Sequence, residues 1–336
     1  MEFVGIGDLH FDGVMSRYLP NLNDLIIREV RKPLNYAREQ GVRNVFFYGD
    51  IFHKPSASMS GVVLFLNLLT EYSDLNIHVL AGNHDKEATG GTLADHHSLS
   101  VFEALQRNGS LRNTHFYIHE PEVVKIDGTL VNFLPWPHNV LSAKALNVLH
   151  LEVEGCKLDN GRTSKGSHLD ASDYSCVVGH IHTPQRVGAA HFSGTLYQTN
   201  FGESLPKFWH HGSWSNRKLK IRKVQNTPDF QLHNIIVNEL SDLDAIPSDP
   251  SHLCKVFVHR SVALPVSFLQ DHPNVVKHNS FKTETDLQTL ITDELRIDGV
   301  DVDLDNGVYL RKWLRGKTDV DLNVRKRAYS IYRELT

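Results

Sequence analysis

The chain has 336 residues, 40% of them hydrophobic and 22% charged, with a formal net charge of -4 when histidines are neutral; this is enough for one large and one smaller core, and it excludes a disordered chain or a solenoid. The charge balance gives no global attraction to nucleic acid, so any such binding must come from local basic patches or bound cations. Cys156, Cys176 and Cys254 are odd in number and lack metal-ligand spacing, no signal-peptide pattern opens the chain, and the longest apolar stretch, Val62 to Leu69, is interrupted by Asn67 and too short to span a bilayer; a cytoplasmic protein with reduced thiols and no membrane segment is expected.

In chain order, Phe3 to Ile6 is an apolar run ending in Gly-Asp, which reads as a buried strand delivering Asp8 from its carboxyl end. Leu22, Leu25, Ile26 and Val30 recur at helical spacing, with Gly41 as the stop and Pro33 expected to kink or split the helix. Val45 to Tyr48 is a second strand ending in Gly-Asp, Met59 to Tyr72 is helical, and Ile77 to Ala81 is a strand ending in Gly-Asn-His-Asp. After a helix over Ala94 to Gln106 the pattern changes to hairpins, with Asp127-Gly128 turning between Val123 to Ile126 and Leu130 to Leu134. Cys176 to Val178 is a buried strand ending in Gly-His-Ile-His, Lys218 to Val224 alternates as a half-exposed strand, and Asn234 to Val237 reads as a strand. The Asp-, Ser- and Pro-rich segment Asp242 to Pro250 marks a domain boundary. Beyond it a small α+β cap is expected, with a strand at Val256 to His259 and helices at Asp286 to Arg296 and Val320 to Leu335. Strands alternating with helices, each strand ending in polar residues, predict an α/β domain that gathers its ligands at the carboxyl edge of its sheet.

The chain carries 21 histidines, many beside Asp, Asn or Gly, which directs attention to metal chemistry. Gly7-Asp8-Leu9-His10, Gly49-Asp50-Ile51-Phe52-His53, Gly82-Asn83-His84-Asp85 and Gly179-His180-Ile181-His182 each follow an apolar strand. A single Gly-Asp is an ordinary turn, but four such loops at strand ends can enclose one site, the leading Gly letting the backbone turn so that the next side chain points inward. Carboxylate, amide and imidazole donors together suit Mn, Fe or Zn better than the all-oxygen cages of Ca or Mg, and manganese is the first expectation.

In order and spacing these motifs resemble the D-x-H, GD, GNHD and GHxH motifs of the calcineurin-like metallophosphoesterase superfamily. Leu149-His150-Leu151-Glu152-Val153-Glu154-Gly155 resembles its lone-His motif. Gly179 to Gln185, Ser193-Gly194-Thr195 and Phe201-Gly202-Glu203 resemble the SbcD-type DNA double-strand-break repair nuclease subunits of bacteria and phages. The resemblance covers roughly the first two thirds of the chain. It implies a four-layer α/β/β/α sandwich over residues 1–240; residues 241–336, past the composition boundary, are expected as a C-terminal cap whose terminal helix either closes the cap or docks a partner ATPase. It also implies two divalent cations, one held by Asp8, His10 and His182, the other by Asn83, His150 and His180, with Asp50 bridging both. Such pairs, about 3.5 to 4 Å apart, clamp a phosphate and supply a nucleophile at neutral pH. By the same resemblance His84 faces the phosphate as proton donor or transition-state stabiliser, Asp85 orients its ring, and His53 either assists at the leaving group or orients the backbone phosphate.

The activity so implied is a DNA exonuclease and single-strand endonuclease of repair and recombination, paired with an SbcC-like coiled-coil ABC-type ATPase, in host cytoplasm if phage-encoded. A phosphomonoesterase or cyclic-nucleotide phosphodiesterase on the same fold is the enzymatic rival, and a metal-stabilised repair scaffold the non-enzymatic one. The protein-phosphatase branch fits less well, because a Val-Asp-Arg-Gly continuation would follow Asp50 where this chain reads Ile51-Phe52-His53-Lys54, and because Asp85 replaces its usual Glu. His138 and His168 compete with His150 as the lone histidine. His96-His97 and His210-His211 are expected as solvated surface residues, and Arg217, Lys218, Lys220, Arg222 and Lys223 as the solvated face of a half-buried strand. The helix around Val62 to Leu69, apolar on nearly all sides, should be covered on more than one face, within the domain or by a homodimer contact.

Overall fold

A computed structural model describes residues 1–88, 92–93, 97–159, 163–164, 169–171 and 173–297. The chain opens with β1 (Glu2–Ile6), α1 (Leu22–Glu39), β2 (Asn44–Phe47), α2 (Met59–Glu71), β3 (Asn76–Leu80) and the one-turn α3 (Asn83–Lys86). A short ribbon, β4 (Glu87–Ala88) and β5 (Thr92–Leu93), leads to α4 (Leu99–Arg107) and β6 (Thr114–Tyr117). Eight strands follow: β7 (Glu122–Ile126), β8 (Thr129–Leu134), β9 (Leu146–His150), β10 (Cys176–Gly179), β11 (Gln185–Val187), β12 (Ala190–Phe192), β13 (Lys207–Ser215) and β14 (Lys218–Asn226). The last described stretch holds β15 (Gln231–Val237), β16 (His252–His259), α5 (Phe268–Asp271), β17 (Val275–Phe281) and α6 (Glu284–Ile297).

Two six-stranded mixed sheets form the body, in the orders β14-β13-β1-β2-β3-β6 and β11-β12-β10-β9-β8-β7. The pleat sorts each apolar run between two cores. Val4, Ile6, Val45, Phe47, Ile77 and Val79 point outward and pack under α1, α2 and α4 through Ile26, Val30, Phe65 and Phe102. Phe3, Phe46, Tyr48 and Leu80 point inward and meet Val131, Phe133, Val148 and Val177 of the second sheet. The far side of that sheet, carrying Leu149, Cys176, Val178 and Phe192, is covered by Val153, Cys156, Leu169 and Ala171, with no helix there among the described residues. The result is an α/β sandwich of mixed sheets flanked by helices, with an additional small sheet of parallel strands in the order β15-β16-β17. β15 lies before the Asp242 to Pro250 segment, yet it pairs with β16 beyond it.

The structure departs from the sequence reading at several elements. α1 runs unbroken through Pro33. Loss of one hydrogen bond at proline costs about 3 kcal/mol, whereas buried Ile26, Val30 and Leu34 contribute on the order of 1.5–3 kcal/mol each, so packing outweighs the break. The helix expected from Ala94 begins only at Leu99, residues 94–96 lying outside the described ones. β13 passes through His210-His211, so His210 is fully buried with Nδ1 3.3 Å from the Tyr48 hydroxyl, and burial, with His191 nearby, pushes its pKa down to about 3. His97 is buried too, and His96 lies outside the described residues. The exposed Lys and Arg of β14 do alternate with half-buried Leu219 and Ile221. In α2 only one face is covered, leaving Met59 and Val63 exposed at 76% and 44%. The expected helix over Val320 to Leu335 lies outside the described residues.

The packing of the Tyr48 ring over β1 within the first sheet gives a first prediction. A Cβ on Gly5 would stand 1.6 Å from the Tyr48 hydroxyl, and buried Tyr48 has no solvent to turn into. Gly5→Ala should cost roughly 1–3 kcal/mol by overpacking, read as a lower denaturant midpoint; an unchanged midpoint would contradict the close contact of Gly5 with the Tyr48 ring.

Candidate metal centre

The carboxyl ends of β1, β2, β3, β9 and β10 meet at one edge of the sandwich, and every residue singled out in the sequence motifs lies there. Asp8 and Asp50 are each 1% exposed and His150 is fully buried. The backbone at this edge is unusual: His10, Asp50 and His180 adopt φ of 51°, 48° and 79°, a region that non-glycine residues enter at some cost and mostly at functional sites. The motif glycines are needed for more than turning. Gly82 has no left-handed φ, but a Cβ there would meet Asp50 Oδ1 at 2.0 Å, and one on Gly179 would meet the Tyr48 carbonyl at 2.3 Å. They let neighbouring loops touch.

Two donor clusters that contain a carboxylate result, beside an all-histidine group of His10, His53 and His84. Asp8, His10 and His182 each bring a ligand atom within 4.8 Å of the others, as do Asp50, His150 and His180. In the first, His10 Nε2 is 3.0 Å from His182 Nε2, and His182 Nε2 is 3.6 Å from Asp8 Oδ2. In the second, Asn83 Oδ1 lies 3.0 Å from both His150 Nε2 and His180 Nδ1. Asp50 joins the two, its Oδ2 lying 3.2 Å from His150 Nε2 and 3.7 Å from His10 Nε2. Two buried carboxylates, an amide oxygen and four imidazoles converge here, and the charged groups that bear most on either carboxylate are histidines. Such a donor set fits a pair of divalent cations, because ring lone pairs facing one another call for positive charge between them.

Supporting contacts fix the rings. His150 Nδ1, 2.8 Å from the Tyr48 carbonyl, carries its proton there and leaves Nε2 facing the cluster. His182 Nδ1 is 2.8 Å from the buried Glu203 carboxylate, and His180 Nε2 is 3.9 Å from Glu152. The Asp50 loop is itself held, since its carbonyl accepts from the N–H groups of Leu9 and His10 at 2.9 and 3.0 Å. The expectation that Asp85 orients the His84 ring is not met: its carboxylate accepts the backbone N–H groups of Gly82, Ile51 and Phe52 at 2.9, 3.2 and 2.9 Å. A short acidic side chain one residue from His84 reaches the neighbouring loop more readily than the His84 ring. That ring is set instead by the His53 carbonyl, 3.0 Å from Nδ1, and by stacking on His53 at 5.0 Å. His138 bonds the His119 carbonyl elsewhere, and His168 lies outside the described residues. Glu152, Asp159 and Glu203 were not predicted as site residues; Glu152 and Glu203 stand within quoted motifs, but their approach to the histidines depends on loop tertiary structure.

Electrostatics follow from burial. Burial alone would raise Asp50, but His150 and His84 hold its carboxyl well below the usual range, whereas at Asp8 burial prevails over His150 and raises it. Burial opposes protonation of His150, yet Asp50 and Asp8 overcome it and lift its pKa to about 9. At His182, Asp159 and Glu203 likewise overcome burial, to about 10. Burial, with His84 adjacent, lowers His53 to about 4.

Residues 1–184, more than half of the chain, match the calcineurin-like phosphoesterase family. The chain belongs to that family, and its paired His/Asp clusters are those of a metal-dependent phosphoester hydrolase. Among its relatives, exonuclease subunit 1 of Enterobacteria phage T4 is 24% identical over 234 residues, covering 62% of this chain and 64% of that protein. "Putative phosphoesterase 244L" of Invertebrate iridescent virus 6 is 25% identical over 185 residues, covering 49% of this chain and 63% of that one. The chain thus spans a little under two thirds of the length of these relatives. A solved structure, that of TT1561 from Thermus thermophilus, aligns over 66% of this chain and 98% of its own at 13% identity, with a TM-score of 0.39.

Without cations, His150 and His182 hold extra protons near neutrality, and cation binding must displace them. Apparent Mn2+ affinity should therefore rise by about tenfold per pH unit for each proton displaced, between about pH 6 and about pH 8. Calorimetry in buffers of differing ionisation enthalpy would detect the released protons, and pH-independent binding would contradict the arrangement. The linked stability has a defined sign: a His150 pKa raised from 6.5 to about 9 stabilises the cation-free protein below the lower value, and that contribution is lost as pH rises through the upper one. The increase in Tm on adding Mn2+ should accordingly be larger at about pH 8 than at about pH 6.

Proposed function

We propose that this protein is a two-cation DNA nuclease, cutting phosphodiester bonds as an exonuclease and single-strand endonuclease, in company with an SbcC-like coiled-coil ATPase. The observation that carries the reading is the placement of one Asp50 oxygen within 3.2 Å of His150 Nε2 and 3.7 Å of His10 Nε2, a carboxylate shared between two ligand clusters. Asp8, His10 and His182 would hold one cation, Asn83, His150 and His180 the other, and Asp50 both. When bound, two such cations lower the pKa of water and neutralise phosphate charge. Mn2+ is favoured by the mixture of oxygen and imidazole donors. DNA as substrate draws support from the likeness to the T4 exonuclease subunit and from the order of the motifs.

The chain's own groups do the remaining work. His84 donates a hydrogen bond from Nδ1 to the His53 carbonyl, which leaves Nε2 free for the phosphate; in the imidazolium form that nitrogen would carry the second N–H and serve as proton donor or transition-state partner. The backbone N–H of the same residue holds Asp50 Oδ1 at 2.9 Å. His53, kept neutral by burial and by the adjacent His84, has no acidic proton for a departing alkoxide and would instead orient the backbone phosphate through its ring N–H. Both rings line, with His10, His182, Met15 and Tyr197, a cavity of about 70 Å³. The exposed Met59 and Val63 of α2, together with Val101 of α4 at 50% exposure, support a homodimer built on that face.

His84→Ala removes the ring but keeps the backbone contact to Asp50. Cleavage of linear DNA by the Mn2+-loaded variant should fall by about 10²–10⁴-fold, with two cations still bound by metal analysis. Turnover of a chromogenic phosphate ester without DNA degradation by the unaltered protein would favour the phosphomonoesterase reading, and retention of full function by the variant would favour a scaffold. For the dimer, Met59→Glu with Val63→Glu should convert a sedimenting dimer to monomer at micromolar concentration. A monomeric unaltered protein would remove that part of the proposal.

A further inference from the structure

Behind His182 lies a buried ionic group that the reaction scheme above does not use. Glu203 is 6% exposed and Lys207 is 1% exposed. The Glu203 carboxylate accepts from His182 Nδ1 at 2.8 Å, Asn200 Nδ2 at 3.0 Å and Thr195 Oγ1 at 3.2 Å, and it contacts the Thr199 hydroxyl and the Lys207 ammonium more closely still. Lys207 Nζ also donates to Thr195 Oγ1 at 2.9 Å and to the His182 carbonyl at 3.4 Å. The pair therefore grips His182 by ring and by backbone.

An ion pair so thoroughly desolvated is a poor way to stabilise a core, since apolar side chains of the same volume commonly do as well or better. Its geometry suits another task. A carboxylate can only accept, so the proton of the His182 ring is fixed on Nδ1 and the Nε2 lone pair is aimed at Asp8 and His10. The segment carrying Glu203 is in turn tied to β15. Gln198 donates to the carbonyls of Glu203 and Leu232 at 2.7 and 3.1 Å and accepts from the Leu232 N–H at 2.9 Å, while Asn234 Nδ2 donates to the Phe201 carbonyl at 2.8 Å.

We propose that Glu203 is a positioning residue for the cation held by Asp8, His10 and His182, and that Lys207, in contact with both Glu203 and the His182 carbonyl, holds that carboxylate in place. The inference rests on the two-cation reading and concerns only one of the two sites. His150, held by a backbone carbonyl, and His180, near Glu152, are independent of it.

The test is binding rather than turnover. Cation-free protein is titrated with Mn2+ by calorimetry, and the spin coupling of the bound ions is followed by electron paramagnetic resonance. Glu203→Ala alone would strand a buried ammonium, so the main variant is Glu203→Gln with Lys207→Met, which removes both charges at nearly constant volume. The expected result is one cation bound as in the unaltered protein and the other bound about 10–100-fold more weakly, with an uncoupled spectrum at one equivalent. Two cations at unaltered affinity, or both weakened alike, would overturn the proposal. If that variant does not fold, Glu203→Asp with Lys207 retained keeps both charges but draws the carboxylate back from His182 and serves the same comparison, and failure of both to fold would assign the pair to the fold alone and overturn it. An unaltered protein that binds fewer than two cations would instead sink the two-cation reading, a separate outcome.

Discussion

Asp50 occupies the one position through which the rest of the molecule is organised. Its Oδ1 accepts the His84 N–H, its Oδ2 lies between His10 and His150, and its backbone carbonyl accepts from Leu9 and His10. Four of the loops at the strand ends are thus referred to a single residue held at a φ of 48°. A carboxylate buried this deeply is tolerable only where positive charge meets it. The histidines supply that charge here, and the same rings would serve as neutral ligands if cations were bound. Site and fold are for this reason hard to separate: the contacts that carry the strain in the loops are the contacts that shape the metal centre.

The supports behind the ligands are of two kinds. His150 and His84 rest on backbone carbonyls, those of Tyr48 and His53, whose placement is guaranteed by strand pairing and loop geometry. His182 rests on a carboxylate and His180 stands near one, both supplied by loops outside the main parallel run of strands. Asp85 supports no ring at all, yet by accepting three backbone N–H groups it fastens the Asp50 loop to the Asn83 loop. Its carboxyl is raised to about 7 by burial and by Asp50, as expected of an acid whose stabilisation comes from hydrogen bonds rather than a cation.

Much of this was legible in the sequence because local pattern and tertiary role coincide where apolar runs end in Gly-Asp or Gly-His. Short apolar runs ending in glycine placed β1, β2, β3 and β10, and Asp127-Gly128 gave its hairpin turn, with φ of 47° and 78°. What stayed hidden depended on contacts distant in sequence. β13 reads poorly because Trp209, His210 and His211 obscure a period of two, and its buried His210 is explained only by the Tyr48 hydroxyl, which reaches across β1 from the end of β2 in the same sheet. Glu203 stood in a quoted motif, but nothing in its neighbours says that its carboxylate meets His182. Pro33 misled in the opposite direction, since its local penalty was outweighed by a buried helix face.

The order of the first sheet has one more implication. β1, which delivers Asp8 and His10, is covered on its free side by β13 and β14, strands that follow the span shared with the family at large. A chain shortened to that span would leave β1 as a naked edge, its amides and carbonyls open to pairing with any passing strand. Such a fragment would be prone to self-association at the very strand that presents the first ligands. The late hairpin therefore acts as a selvedge, keeping the sheet from unravelling into its neighbours.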